Sequence, residues 1–216
     1  MRALTPLEAR VLGVLVEKAK TVPDTYPLSL NGLVAGCNQK TARAPGIESS
    51  DAEVMTAVDG LKSLSLVFEG GGSRVVKFEH NLGRAHGVPE AAVALLAVLM
   101  LRGPQTSAEL RLNAERLHRF VDLAAVEACL DEMAERFPPR VIKLARAAGS
   151  REARWAHLLC GDVALPAASG EPALQPEISA GELAAVRAEQ IRMAGEIDAL
   201  RASVQRLARE LGVDLP

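Results

Sequence analysis

SDAEVMTAVDGLKSLSLVFEGGGSRVVKFEH, residues 50–80, decides the fold. Ser50 can open a helix in which Val54, Val58, Leu61 and Leu64 recur at the spacing of a buried stripe. Val67-Phe68-Glu69 and Val75-Val76-Lys77-Phe78 are short β-prone runs around Gly70-Gly71-Gly72-Ser73, which reads as a hairpin. A helix running straight into a hairpin is the closing half of a winged helix, so two helices should precede it. Thr5-Pro6-Leu7-Glu8 supplies the start of the first: a capping box with proline at the first helical position, followed by Val11, Val14 and Leu15 at helical spacing. Thr21 to Pro27 breaks that helix with two prolines. Ser29 then caps a short second helix through Leu30, Leu33, Val34 and Cys37, and the polar, basic stretch Asn38 to Pro45 connects it to the third.

The same order recurs downstream. Pro89 to Leu101 is a strongly apolar helix stopped by Gly103-Pro104, Ser107 to Leu117 is a second, and Leu123 to Arg136 a third with Val126, Leu130 and Met133 inward. Val141-Ile142-Lys143-Leu144 and Arg154 to Leu159 are the strands of a second wing, joined across Ala147 to Glu152. Gly161 to Pro176 is rich in proline, alanine and small polar residues and reads as a linker. Ser179 and Glu182 then form another capping box, and Leu183, Val186, Gln190, Met193, Ile197, Leu200, Val204, Leu207 and Leu211 repeat strictly every three and four residues.

The predicted architecture is mostly α, in the α+β class: winged-helix domain 1 at 1–82, winged-helix domain 2 at 87–160, each with three helices and a β-hairpin wing, a linker at 161–178 and a long C-terminal helix at 179–213. The heptad positions are candidate dimerisation residues, for a parallel coiled coil that makes the protein a homodimer. The competing reading of the tail is an amphipathic helix packed on its own chain.

Bulk properties narrow the function classes. Over 216 residues the formal charge is −2; residues 1–80 are neutral, 81–162 carry +1 and 163–216 carry −3. A dedicated nucleic-acid binder is usually more basic, so any DNA affinity must come from a local patch. The longest apolar run, Ala91 to Leu101, falls well short of the roughly 20 residues that span a bilayer. No signal-peptide core is legible near the N-terminus, and Cys37, Cys129 and Cys160 are odd in number with no Cys-x-x-Cys, as expected of reduced thiols in a cytoplasm. His80, His86, His118 and His157 form no helical ligand pairs, no nucleophile elbow occurs, and Gly70-Gly71-Gly72 sits inside a hairpin rather than between a strand and a helix. The expectation is therefore a protein that is no enzyme and takes no cofactor or metal.

Several runs resemble a family of bacterial proteins of unknown function usually called YceH-like, described as tandem winged helices. They are Leu4 to Val11 with Glu17-Lys18, Tyr26 to Asn31, Cys37 to Thr41 with Arg43 and Pro45, and Arg74-Val75 with Lys77. In the second half they are Leu101-Arg102-Gly103 with Gln105-Thr106, Glu109-Leu110-Arg111, Leu144-Ala145-Arg146, and Arg151-Glu152 with Arg154 and His157-Leu158. The second wing departs from the pattern, with Ala147-Ala148-Gly149 where a proline-containing turn is usual. The resemblance implies the tandem fold and carries over no catalytic residue.

Winged helices usually lay their third helix in the major groove and touch phosphates with the wing. Here the outward positions of the third helices are Asp51, Glu53, Thr56 and Asp59 opposed by Lys62, and in the second half Asp122, Glu127, Asp131, Glu132 and Glu135. Carboxylates repel a phosphate backbone, which disfavours the standard insertion. The nucleic-acid-binding candidates lie elsewhere: Asn38, Gln39, Lys40 and Arg43 before the third helix, Arg74 and Lys77 in the first wing, Arg116 in and Arg119 just after the second half's second helix, and Arg146, Arg151 and Arg154 in the second wing. Asn38 to Thr41 could instead hold a long loop down. The leading expectation is a double-stranded-DNA-binding, transcription-regulating protein. The alternative is a protein-interaction scaffold whose acidic third helices face a protein partner. Exposure of Asp51, Glu53, Glu127 and Asp131 with dispersed arginines favours the scaffold; a basic strip shared by both halves favours DNA.

Overall fold

The computed structural model describes residues 2–70, 75–146 and 152–161, together with positions 192, 195 and 205. Its first compact unit spans Met1–Leu165. The helices are α1 (Pro6–Thr21), α2 (Leu30–Cys37), α3 (Asp51–Ser63), α4 (Leu82–His86), α5 (Glu90–Arg102), α6 (Ser107–Ala114) and α7 (Leu123–Glu135). The strands are β1 (Leu28–Ser29), β2 (Val67–Gly70), β3 (Lys77–His80), β4 (Val141–Lys143) and β5 (Trp155–His157). The protein is α+β and mostly helical, and three helices followed by an antiparallel strand pair occur twice.

Local chemistry sets the helix starts. Thr5, Ser50 and Thr106 each accept the amide of a glutamate three residues on, and Glu8, Glu53 and Glu109 reach back to the capping residue's N–H. Ser29 caps α2 by accepting from Gly32 N–H, and Asp122 caps α7 by accepting from Ala125 N–H. In the first sheet, of order β1-β3-β2, Leu28 sits opposite Phe78 and Glu69 opposite Phe78 on the other side. β3 begins two residues later than the sequence suggests: Phe78 is buried against Leu28, whereas Val75 and Val76 are more than half exposed. The second half repeats the scheme in reduced form. β4 pairs with β5, and Gln105, between α5 and α6, exchanges backbone bonds with Trp155 at 3.1 and 2.7 Å.

The two halves share one core. Residues Glu8–Val16 of α1 and Ala92–Leu101 of α5 are buried without interruption, the pattern of helices covered on every side. They meet at Gly13, where a Cβ would come to 3.0 Å from Leu101 Cγ; the glycine that interrupts the apolar run permits this crossing. Leu12, Leu15, Leu95, Leu96 and Leu99 are fully buried in the joint cluster, each contributing roughly 1.5–3 kcal/mol of transfer free energy. The boundary drawn from sequence between 82 and 87 falls on α4, which, with β1, the sequence reading did not anticipate. All nine heptad positions from Leu183 to Leu211 lie outside the described residues; Arg192, Gly195 and Gln205 are helical, with Arg192 and Gln205 exposed.

Candidate functional site

The basic residues singled out from sequence divide into those the fold consumes and those it leaves at the surface. Arg43 is consumed, which corrects its reading as a nucleic-acid contact. Its side chain is wholly buried and grips Glu17 with both terminal nitrogens, at 3.1 and 2.7 Å, while Nε donates to the Gly36 carbonyl at 3.1 Å. Burial is the largest influence on Glu17 and would raise its pKa. The hydrogen bonds and charges of Arg43 and Lys18 outweigh it and hold the carboxyl below its ordinary value. Asn38 is likewise structural: Nδ2 donates to the Ser49 carbonyl and Oδ1 accepts from Ser49 N–H, both at 2.8 Å, tying down the 38–49 loop. Gln39 Oε1 accepts from Lys18 at 3.2 Å and its Nε2 donates to Thr41. Arg154 remains half-exposed but forks onto Glu109 at 3.1 and 3.3 Å and donates to the Pro104 carbonyl.

Lys40, Arg116, Arg119 and Arg146 are exposed, Lys77 is half-buried in β3, and Arg74 and Arg151 lie outside the described residues. Arg119 stands 3.9 Å from Glu115. The exposed cations thus belong to the loop after α2, the turn after α6 and the second wing, and Arg119 shares a recess with Arg111 and Glu115.

The third helices show the opposite charge. Asp51, Glu53 and Asp59 of α3 and Glu127, Asp131, Glu132 and Glu135 of α7 are exposed. On α3 the charge is partly satisfied: Glu53 closes the cap, and its hydrogen bonds from Ser50 lower its pKa; Lys62 bridges Glu69 at 2.8 Å and Asp59 at 3.7 Å. On α7 it is not. Glu132 meets Arg136 at 3.3 Å, but Glu127, Asp131 and Glu135 have no ion-pair partner among the described residues. They stand at i, i+4 and i+8, where like charges destabilise a helix. The last turn also holds no basic residue, so the stripe runs against the helix dipole.

At the start of α7, one turn before Glu127, opens a recess of about 640 Å³ with apolar walls from Ala108, Leu112, Phe120, Val121 and Leu123 and charged ones from Arg111, Glu115 and Arg119. Leu112 is 71%, Val121 89% and Leu123 40% exposed, an unusual concentration of large apolar side chains in water. Phe120 is buried and stacks edge-on against His118 at 4.7 Å, which fixes the turn that presents Val121. Sequence reasoning missed these residues, though a signal existed for one: the buried face of α6 is Ser107, Leu110 and Ala114, and Leu112 falls off it. Two further absences hold among the described residues: no group of three His, Cys, Asp or Glu side chains is placed to hold a metal ion, and no helix is long and apolar enough to cross a membrane.

A family model described as "Protein of unknown function, DUF480" matches residues 4–150, most of the compact unit. The chain belongs to this family. A relative named UPF0502 protein in Leptothrix cholodnii is 64% identical over 217 residues, covering 99% of this chain and 98% of its own. A UPF0502 protein of Burkholderia multivorans is 62% identical over 215 residues, covering 99% and 92% respectively. The similarity runs through the whole chain, tail included.

Proposed function

We propose that this member of the family is a non-enzymatic winged-helix protein-interaction module, whose docking face is the recess beside α6 together with the acidic stripe of α7. The winged-helix reading is supported by the repeated order of three helices and a hairpin, by the β1-β3-β2 sheet, and by the Gln105–Trp155 pairing that stands for β1 in the second half. The observation that carries the docking face is the unpaired row Glu127, Asp131 and Glu135, which continues along α7 at four-residue spacing from exposed Leu123, itself sharing the recess with exposed Leu112 and Val121. A segment with an apolar anchor for the recess and lysines or arginines for the stripe complements it, and apolar anchors in such pockets carry most interface energy. The heptad tail, in this reading, pairs two copies and presents two faces at once.

The second reading, DNA contact with a role in transcription, is favoured by exposed Arg111, Arg116 and Arg119 around the α6 turn and by Lys143 and Arg146 at the second wing. Titration of the full-length protein with labelled duplex DNA across a salt series separates the two. Docking of protein predicts no saturable binding at micromolar protein in low salt. Saturable binding with a steep salt slope, flattened by Arg116→Ala and Arg119→Ala, would replace the protein-docking reading with the DNA reading.

A further inference from the structure

A second cavity lies where the two halves meet, away from the α6–α7 face. Its volume is about 420 Å³, within the range of sites for small organic ligands. The walls are apolar: Leu7 from α1, Pro45 and Ile47 from the loop after α2, and Leu99 and Met100 from α5. Ser49, His157 and, most strongly, Arg10 break this lining. Arg10 of α1 is 3% exposed, and its guanidinium donates only to backbone carbonyls, that of Cys37 at 3.3 Å and that of Pro45 at 2.6 Å.

Arg10 lacks what Arg43 has. No carboxylate among the described residues forms an ion pair with it, its Nε has no hydrogen-bond partner, and the guanidinium of Arg43 acts on it as a like charge. An arginine has five N–H donors and does not shed its proton in a protein, so the charge stays in place with two nitrogens engaged. A buried cation without a counter-ion is costly. The chain nonetheless places one at the wall of an open, largely apolar cleft, which half-buried His157 of β5 also lines.

We propose that this cleft binds a small organic monoanion, a carboxylate carried on an apolar body, with Arg10 as the counter-ion, His157 as a second hydrogen-bonding group and the aliphatic walls covering the body. A single cation and apolar walls suit one negative charge; a nucleotide or inorganic phosphate would leave most of its oxygens without donors. Because α1, the loop and α5 close on the ligand from both halves, binding stabilises the junction between them. The site is independent of the docking face on α6 and α7.

The test is thermal denaturation and calorimetric titration of the full-length protein with hexanoate, octanoate and decanoate, against 1-octanol and octylamine. The expected result is a saturable rise in melting temperature with at least one carboxylate and none with the amine, with octanol about tenfold weaker or worse for want of the charge-assisted bond. Arg10→Met should cost the carboxylate about tenfold or more in affinity. Ile47→Trp, which fills the cleft from its half-exposed loop and leaves Arg10 in place, should abolish the shift even if Arg10→Met does not fold. The proposal is overturned if no carboxylate gives a saturable shift, if octanol binds as well as octanoate, or if Ile47→Trp leaves binding unchanged.

Discussion

Reversing the charge at the middle of the α7 stripe should make the protein more stable while disabling it. In Asp131→Lys the new ammonium lies one turn from both Glu127 and Glu135. Two like-charge contacts become two opposite-charge contacts, each worth roughly 0.2–0.5 kcal/mol in either sense on an exposed helix. The contact with Glu127 is the better oriented of the two, because there the glutamate stands four residues N-terminal to the new lysine. A cation nearer the C-terminal end also suits the dipole, since α7 has no basic residue in its last turn. Allowing for solvent screening, the net gain is about 1 kcal/mol, or about 2–4 °C in melting temperature for a unit of this size. Urea denaturation followed through Trp155, the single tryptophan and only 2% exposed, reads it directly. The gain should shrink in molar salt. A variant less stable than the parent, or a gain unaffected by salt, would show that Asp131 has a structural partner and that the stripe is not held in reserve for docking.

Arg43→Ala should cost about 3–5 kcal/mol in the same experiment, because it strands the partly buried Glu17 and removes the donors to the Gly36 and Ala42 carbonyls; a loss below about 1 kcal/mol contradicts the internal role given to Arg43. Stability should fall as the pH drops from about 6.5 towards 4. Burial holds His86 and His157 down to about 4, with the charge of Arg140 adding to the effect at His86, so over that window the unfolded chain takes up protons that the folded one refuses. His86→Phe should flatten that slope, and an unchanged slope contradicts the assignment. Light scattering should give the mass of a dimer for the full-length chain and of a monomer after truncation following Leu165; a dimer that survives truncation removes the tail from that role.

The helix starts were legible because caps are local: Thr5-x-x-Glu8 and Ser50-x-x-Glu53 announce themselves within four residues, and the buried stripe of α3 needs only its own spacing. What escaped the sequence depends on distant partners. Arg43 and Arg10 look alike in a string of letters, yet one finds Glu17 across 26 residues and the other finds carbonyls. β1 consists of two residues and exists through its pairing with β3, which no propensity within Leu28-Ser29 reveals. The acidity of the third helices was readable because outward positions follow from the periodicity of the inward ones. Val121 was not, since the turn after α6 has no period to read against.

On the proposed function, the α6–α7 face receives protein. A photo-reactive benzoylphenylalanine placed at Val121, the most exposed of the apolar residues there, tests it in living cells. Irradiation should yield a discrete adduct with one protein that carries a basic, amphipathic segment, lost on adding Asp131→Lys and absent when the probe stands instead at Val22, 39% exposed on the first half. Adducts to DNA, or a protein adduct from Val121 that is indifferent to Asp131→Lys, would show that this face does not receive a basic protein segment.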